Sequence, residues 1–297
     1  MLQYIRSLII LIFTAFCSTA NAQSKLAYDK EIKDWCAKRV QALKAADGWL
    51  NLVGLFWLHE GINPFGSNPG QQIVFPYKDM PGDAGYFARK GNAITLTVKN
   101  TDAILLDGKP VKDALVFDTT MAKAPVMSYG SLRWTIIQRG EKIGIRLRNL
   151  QAPQVSSFKG TLRYPTNMAW KVKAVLVPPS EPTYIAITNV LGQTSQLESA
   201  GKLEFTIAQK KYSLDALVEG EELFVLFADA TNGAATYGSG RFMYAQKPGA
   251  DGATILDFNK AFNPPCAFTR YATCPLPPRQ NHLPIAVTAG EKNYGQH

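Results

Sequence analysis

Leu132-Arg133-Trp134-Thr135-Ile136-Ile137-Gln138-Arg139-Gly140-Glu141-Lys142-Ile143-Gly144-Ile145-Arg146-Leu147-Arg148 is the stretch that decides the fold. Two β-rich runs, Leu132 to Gln138 and Lys142 to Arg148, flank Arg139-Gly140-Glu141, a hairpin signal of the three-residue kind. Side chains alternate across a strand, so Arg146 and Arg148, set between Ile145 and Leu147, share one face.

The same pattern continues on both sides of this hairpin. Short β-runs recur at Gln72 to Phe75, Ala93 to Val98 and Ile104 to Leu106, and later at Val172 to Val177, Thr183 to Asn189, Lys202 to Ala208, Lys211 to Leu214 and Leu223 to Ala228. Pro178-Pro179 and Pro248-Gly249 mark loops between them. Many short strands with few helical windows predict an all-β chain built from sandwiches or barrels. The exception is Leu26 to Leu43, where Tyr28, Ile32, Trp35, Cys36, Val40 and Leu43 recur at steps of three and four, the stripe of an amphipathic helix that Gly48 would stop. An apolar stretch, Trp49 to Leu58, and a turn-rich one, Gly61 to Gly70, lead into the strands. The expected organisation is a helix and apolar segment over 23–60, a small β-sandwich over 61–122, and a larger barrel or sandwich with a Pro-rich C-terminal segment over 123–297.

The first 22 residues carry one early positive charge at Arg6, an apolar run from Leu8 to Phe16, and Ala20-Asn21-Ala22. This order matches a secretory signal cleaved before Gln23, and the apolar run is shorter than the roughly 20 residues that span a membrane. A lipoprotein signal at Cys17 is disfavoured by the bulky Phe16 before it. The expectation is a bacterial-type periplasmic or secreted protein with no transmembrane segment after cleavage. The formal net charge of +9 falls by one on removal of Arg6. The basic residues are scattered, with no run of five, so nucleic acid is not an expected partner. Cys36, Cys266 and Cys274 remain, and in an oxidising compartment the expected disulfide joins Cys266 to Cys274, with Cys36 a buried thiol.

Two stretches carry family resemblances. Phe65-Gly66-Ser67-Asn68-Pro69-Gly70-Gln71-Gln72-Ile73-Val74-Phe75-Pro76, with Ala84-Gly85-Tyr86-Phe87 and Leu106-Asp107-Gly108-Lys109-Pro110-Val111, resembles the opening of a forkhead-associated domain, a β-sandwich that often reads phosphothreonine. That resemblance implies a forkhead-associated-like fold for the small sandwich. An Arg before the motif's Ser helps hold phosphate in that family, whereas Gly66 precedes Ser67 here. The mature chain is also similar to the bacterial family catalogued as domain of unknown function 1684. The similarity rests on Trp49 to Leu58, Phe158-Lys159-Gly160, Gly238-Ser239-Gly240-Arg241-Phe242, Asp257 to Phe268, Ala272 to Pro278 and Ala289-Gly290-Glu291-Lys292. That family implies no activity.

Familiar catalytic signatures are missing. Tyr237 stands where a nucleophile elbow ending in Ser239 needs glycine, Leu203 follows Gly201-Lys202 where a phosphate-binding loop needs Ser or Thr, and no two His residues share helical spacing. Cys266, Cys274 and His282 are spaced eight apart and lack a C-x-x-C pair, so no metal site and no cofactor is expected. Arginine offers a planar fork for carboxylate or phosphate. The expected function is therefore binding of a small or extended anionic ligand in a β-barrel pocket lined by Arg146, Arg148 and Arg241, with Tyr244, Asp257, Asn259, Asn263 and His282 as further candidates. Arg133 and Arg163 lie in nearby segments. The alternative is a hydrolase or isomerase drawing acid–base groups from Asp229, Asp257 and His282. Proline-rich 257–282 would form a rigid wall or a stapled crossover.

Overall fold

The computed structural model describes the backbone of residues 2–295 and the side chains of residues 23–295. The expected leader, residues 1–22, lies outside the residues whose side chains are described. Helix α1 (Leu2–Lys44) turns the expected stripe inward: Tyr28, Ile32 and Leu43 are buried, and Trp35, Cys36 and Val40 are half-buried. Gly48 lets the chain fold back beneath the helix end, because a Cβ there would lie 2.4 Å from the Leu43 carbonyl oxygen. The Leu50 N–H then donates to that same carbonyl at 3.2 Å.

Strands follow in the order β1 (Leu52–Trp57), β2 (Gly61–Gly66), β3 (Ile73–Val74), β4 (Gly85–Lys90), β5 (Ala93–Val98), β6 (Leu105–Leu106), β7 (Lys109–Pro110), β8 (Asp113–Phe117), β9 (Met127–Tyr129), β10 (Leu132–Arg139) and β11 (Lys142–Asn149). They form two facing sheets, ordered β1-β11-β10-β9-β6-β7 and β3-β2-β4-β5-β8. Between them lies one apolar core that includes Phe65, Phe75, Phe87 and Trp134. Phe75 meets Trp134 edge-on at 5.1 Å, a favoured aromatic geometry.

The sandwich extends past residue 122, where the sequence reading ended it, to Asn149. The reason is long-range pairing: β1 bonds to β11 with Leu55 opposite Arg146, so β9–β11 complete the sheet that the apolar segment begins. The β10–β11 loop is also shorter than expected. Arg139 pairs with Lys142, leaving the two residues Gly140 and Glu141, and Gly140 has φ +56°, as a first loop position in a type II′ hairpin requires.

After the sandwich come β12 (Lys171–Val177), β13 (Tyr184–Thr188), β14 (Thr194–Ile207), β15 (Lys210–Glu219), β16 (Glu222–Phe227), β17 (Arg241–Gln246) and β18 (Ala253–Asp257). Six of them form the antiparallel order β17-β16-β15-β14-β12-β18, with β13 extending β14. The sheet curls until it nearly closes as a barrel, and Thr254 of β18 donates to the Gln246 carbonyl of β17 at 2.7 Å. Its interior holds Leu203, Leu214, Val225, Phe227, Met243 and Leu256. Residues 258–295 then run as a strap that adds Phe258, Ala261, Leu283, Val287 and Ala289 to the interior core and crosses the outside between them. The strap buries Phe262, Ala272 and Cys274 against the outer barrel face, and Phe268 against Leu43 and Leu50 below the helix. No helix is long and apolar enough to cross a membrane among the described residues.

Candidate functional site in the seam between the two β bodies

Alternation along β10 and β11 sends Leu132, Trp134, Ile136, Ile143, Ile145 and Leu147 into the sandwich core. The opposite face must then carry the residues between them. Register places Arg133 opposite Arg148, Thr135 opposite Arg146 and Arg139 opposite Lys142, so five cations share that outward face. Like charges facing each other across strands are destabilising. This face is turned toward the barrel, and a cavity of about 400 Å3 lies in the seam.

Arg146 and Arg139 form the cationic side of this cavity, with Thr273, Cys274 and Pro275 of the strap beside them. The Arg146 guanidinium lies 5.3 Å from the Trp49 ring centroid, yet its buried Nε has no hydrogen-bond partner. Among the described residues, neither Arg139 nor Arg146 makes an ion pair. Burial, then the charges of Arg139 and Arg148, lower the Arg146 pKa to about 10. Arg139 is held in place by Thr273, whose Oγ1 accepts from its Nε at 3.2 Å.

The barrel supplies the apolar side. Phe224 on β16 and Tyr244 on β17 are register partners and stack at 5.1 Å. Tyr244 stacks in turn near Phe262 of the strap at 5.9 Å. Arg39 of α1 caps that row, 4.3 Å from the Phe262 centroid. The Arg39 charge is matched, because its Nε donates to Glu291 at 3.1 Å. The Tyr244 hydroxyl donates to Glu219 at 3.3 Å; burial, then the Glu219 charge, push its pKa up to about 12. The arrangement can hold an anion against fixed guanidinia and lay an apolar body on the aromatic row.

Of the residues expected from sequence, only Arg146 and Tyr244 line this cavity. Arg148 adjoins it behind Trp49, 5.8 Å from the ring, and donates to Asn51 Oδ1 at 2.7 Å. Arg241 points into the barrel instead. It is fully buried, paired with Asp229 at 2.7 Å, and donates to the Val287 carbonyl at 3.0 Å. Asp257 and Asn259 meet Tyr28 of the helix: the Tyr28 hydroxyl donates to Asp257 at 2.6 Å and accepts from Asn259 Nδ2 at 2.9 Å. Asn263 is buried, its N–H donating to Glu291 at 2.7 Å. His282 is exposed beside Ala228, its parallel bridge partner. Asp229, Asp257 and His282 thus sit in three separate surroundings, which gives the acid–base alternative no shared centre. Arg163 lies 5.1 Å from Trp35, with its Nη1 3.6 Å from Glu291.

Arg39, Trp49, Arg139, Phe224, Phe242 and Phe262 complete the site and were not singled out in the sequence. For Arg139 the signal was present, as it lies at the end of the hairpin that carries Arg146. For the aromatic residues none was, since the packing of strap on barrel brings them together. Cys266 and Cys274, the pair expected to form a disulfide, lie side by side as thiols: the Cys266 N–H donates to Cys274 Sγ at 3.0 Å and the Cys274 N–H to Cys266 Sγ at 3.4 Å. The hydrogen bond shared with Cys266, then burial, raise the Cys274 pKa. Ser67 of the Gly-Ser turn donates to the Met80 carbonyl at 2.6 Å, so that hydroxyl ties its own loop. No group of three or more His, Cys, Asp or Glu side chains capable of holding a metal occurs among the described residues.

Residues 156–292 match the model of a family described as Protein of unknown function (DUF1684). No curated protein matches the chain. Among solved structures, an uncharacterized protein of Haloarcula marismortui is 30% identical over 48% of this chain and 82% of its own, with a TM-score of 0.41. A forkhead-associated domain studied for phosphothreonine-dependent interactions is 18% identical over 32% of this chain and 92% of its own, with a TM-score of 0.23.

Proposed function

With residues 156–292 belonging to a family described as of unknown function, we propose from the seam cavity itself that the protein binds a small anionic ligand with an apolar body. The observation that carries this is Arg146, a half-buried cation with no ion pair and a buried, unpartnered Nε, with a second unpaired arginine beside it. A partly desolvated charge without a counter-charge is unfavourable, and an incoming carboxylate or phosphate relieves it. The cavity volume of about 400 Å3 falls within the ~300–1,000 Å3 of small-molecule sites. Rows of aromatic side chains with few convergent polar groups are also typical of such sites. We further propose that the protein works outside the cytoplasm, in the periplasm or secreted, on the leader pattern of residues 1–22, and that Cys266 and Cys274 become a disulfide there.

Native mass spectrometry of protein purified without reduction tests the binding reading. The expected result is a small anionic molecule retained by the wild type, lost on denaturation and absent from Arg146→Ala. Equal retention by Arg146→Ala and Arg139→Ala would place the ligand elsewhere and overturn the proposal.

A further inference from the structure

We infer that the seam site selects a dianionic head group carried on a planar apolar body, an inference that rests on the anion-binding reading above. The argument is a charge count over the groups facing the cavity. Arg39 pairs with Glu291 at 3.1 Å, a carboxylate it shares with Arg163. Arg148 is engaged by Asn51 Oδ1 at 2.7 Å and by the Gly48 carbonyl. Glu219 also lines the cavity, but it is exposed, so water screens its charge, and it accepts from the Tyr244 hydroxyl. Of the cations that line the cavity, Arg139 and Arg146 are the two that make no ion pair among the described residues, and they come from neighbouring strands of one hairpin.

A monoanion would satisfy one guanidinium and leave the other without a counter-charge. A dianion satisfies both and also relieves the repulsion between them. The paired forks suit a phosphate monoester, whose oxygens can each accept from a different guanidinium, and they suit two carboxylates on one ring. The body of such a ligand meets Phe224, Tyr244, Phe242 and Phe262. These supply apolar surface but, apart from the Tyr244 hydroxyl, no polar group, so a bare inorganic ion would leave that wall unused.

The test is calorimetric titration of the full chain at pH 8 with four aryl probes: phenyl phosphate, isophthalate, benzenesulfonate and benzoate. Phenyl phosphate and benzenesulfonate share a tetrahedral head and differ in charge, which isolates the dianion effect. The expected result is at least tenfold tighter binding of one dianion over the monoanion of matching shape. A preference for phenyl phosphate identifies a phosphate monoester as the source, and a preference for isophthalate identifies a dicarboxylate. In Arg139→Ala the preference should fall below about threefold, and Arg139→Lys, which keeps the charge, should retain part of it. Equal affinity for dianions and monoanions would overturn the dianion inference while leaving anion binding intact. Binding of none of the four by folded protein would overturn both.

Discussion

Two arginines, half-buried Arg146 and fully buried Arg241, present the same group in different circumstances. Arg241 closes an internal network: Asp229 at 2.7 Å and carbonyls of the strap take up donors of its Nη1 and Nη2 while its Nε has no partner, and Asp229 also accepts from the Val287 N–H at 3.1 Å. Substituting Arg241→Met leaves that carboxylate buried and unpaired, so stability should fall by about 3–5 kcal/mol, read from urea denaturation. Arg146→Met removes a desolvated charge that no acid balances, so it should lose no more than about 1 kcal/mol while abolishing ligand retention. Functional sites often sacrifice stability in this way. Tyr28 offers a pH test. Burial, then its hydrogen bond to Asp257, raise its pKa in the folded protein. The stability this contributes is complete below the unfolded value near 10 and drains away as pH rises above it, because only the unfolded chain then gives up the proton. Tyr28→Phe should therefore be less stable by about 1–3 kcal/mol at pH 7, with the gap to wild type narrowing above pH 10 in parallel denaturation series.

Among the elements, the β10–β11 hairpin holds both unpaired arginines, and its turn depends on Gly140 at φ +56°. Alanine there should cost about 1 kcal/mol and weaken anion affinity by shifting Arg139, a pairing of effects that thermal denaturation and titration can read together. How much of this was legible in the sequence follows from the range of the interactions. The helix was legible because its stripe is local, and Gly48 marked its end. Strands β5, β10, β11, β12 and β16 were legible because alternation or β-rich composition is local as well. Strand β1 was not, since Trp49 to Leu58 is apolar without a period and its partner lies some ninety residues away, at Gly144 to Arg148. The sandwich boundary failed for the same reason. A smaller part of the site was likewise visible: alternation alone puts Arg146 on one face with Arg148, which adjoins the cavity. That Arg241 points the other way is a matter of barrel parity, because Phe242 and Tyr244 face outward and Arg241 and Met243 inward, and one strand's sequence does not say which face becomes the interior.

For the whole molecule, the compartment decides the state of the strap. In an oxidising environment the adjacent thiols of Cys266 and Cys274 should join, closing a loop of about eight residues worth roughly 2.5 kcal/mol by chain-entropy reasoning. The oxidised protein should be lighter by two hydrogens in non-reducing mass spectrometry and should lose that stability on reduction. Cys266→Ser should show neither change. The ion pair between Arg39 and Glu291 bridges residues 252 positions apart, and it joins the inner face of the first element to the final turns of the strap. A chain made at ~5–20 residues per second leaves Arg39 waiting roughly 10–50 s for its counter-charge. Helix, barrel and strap can lock together only after nearly every residue has emerged, so the protein keeps time by its own length and sets only when its synthesis is all but done.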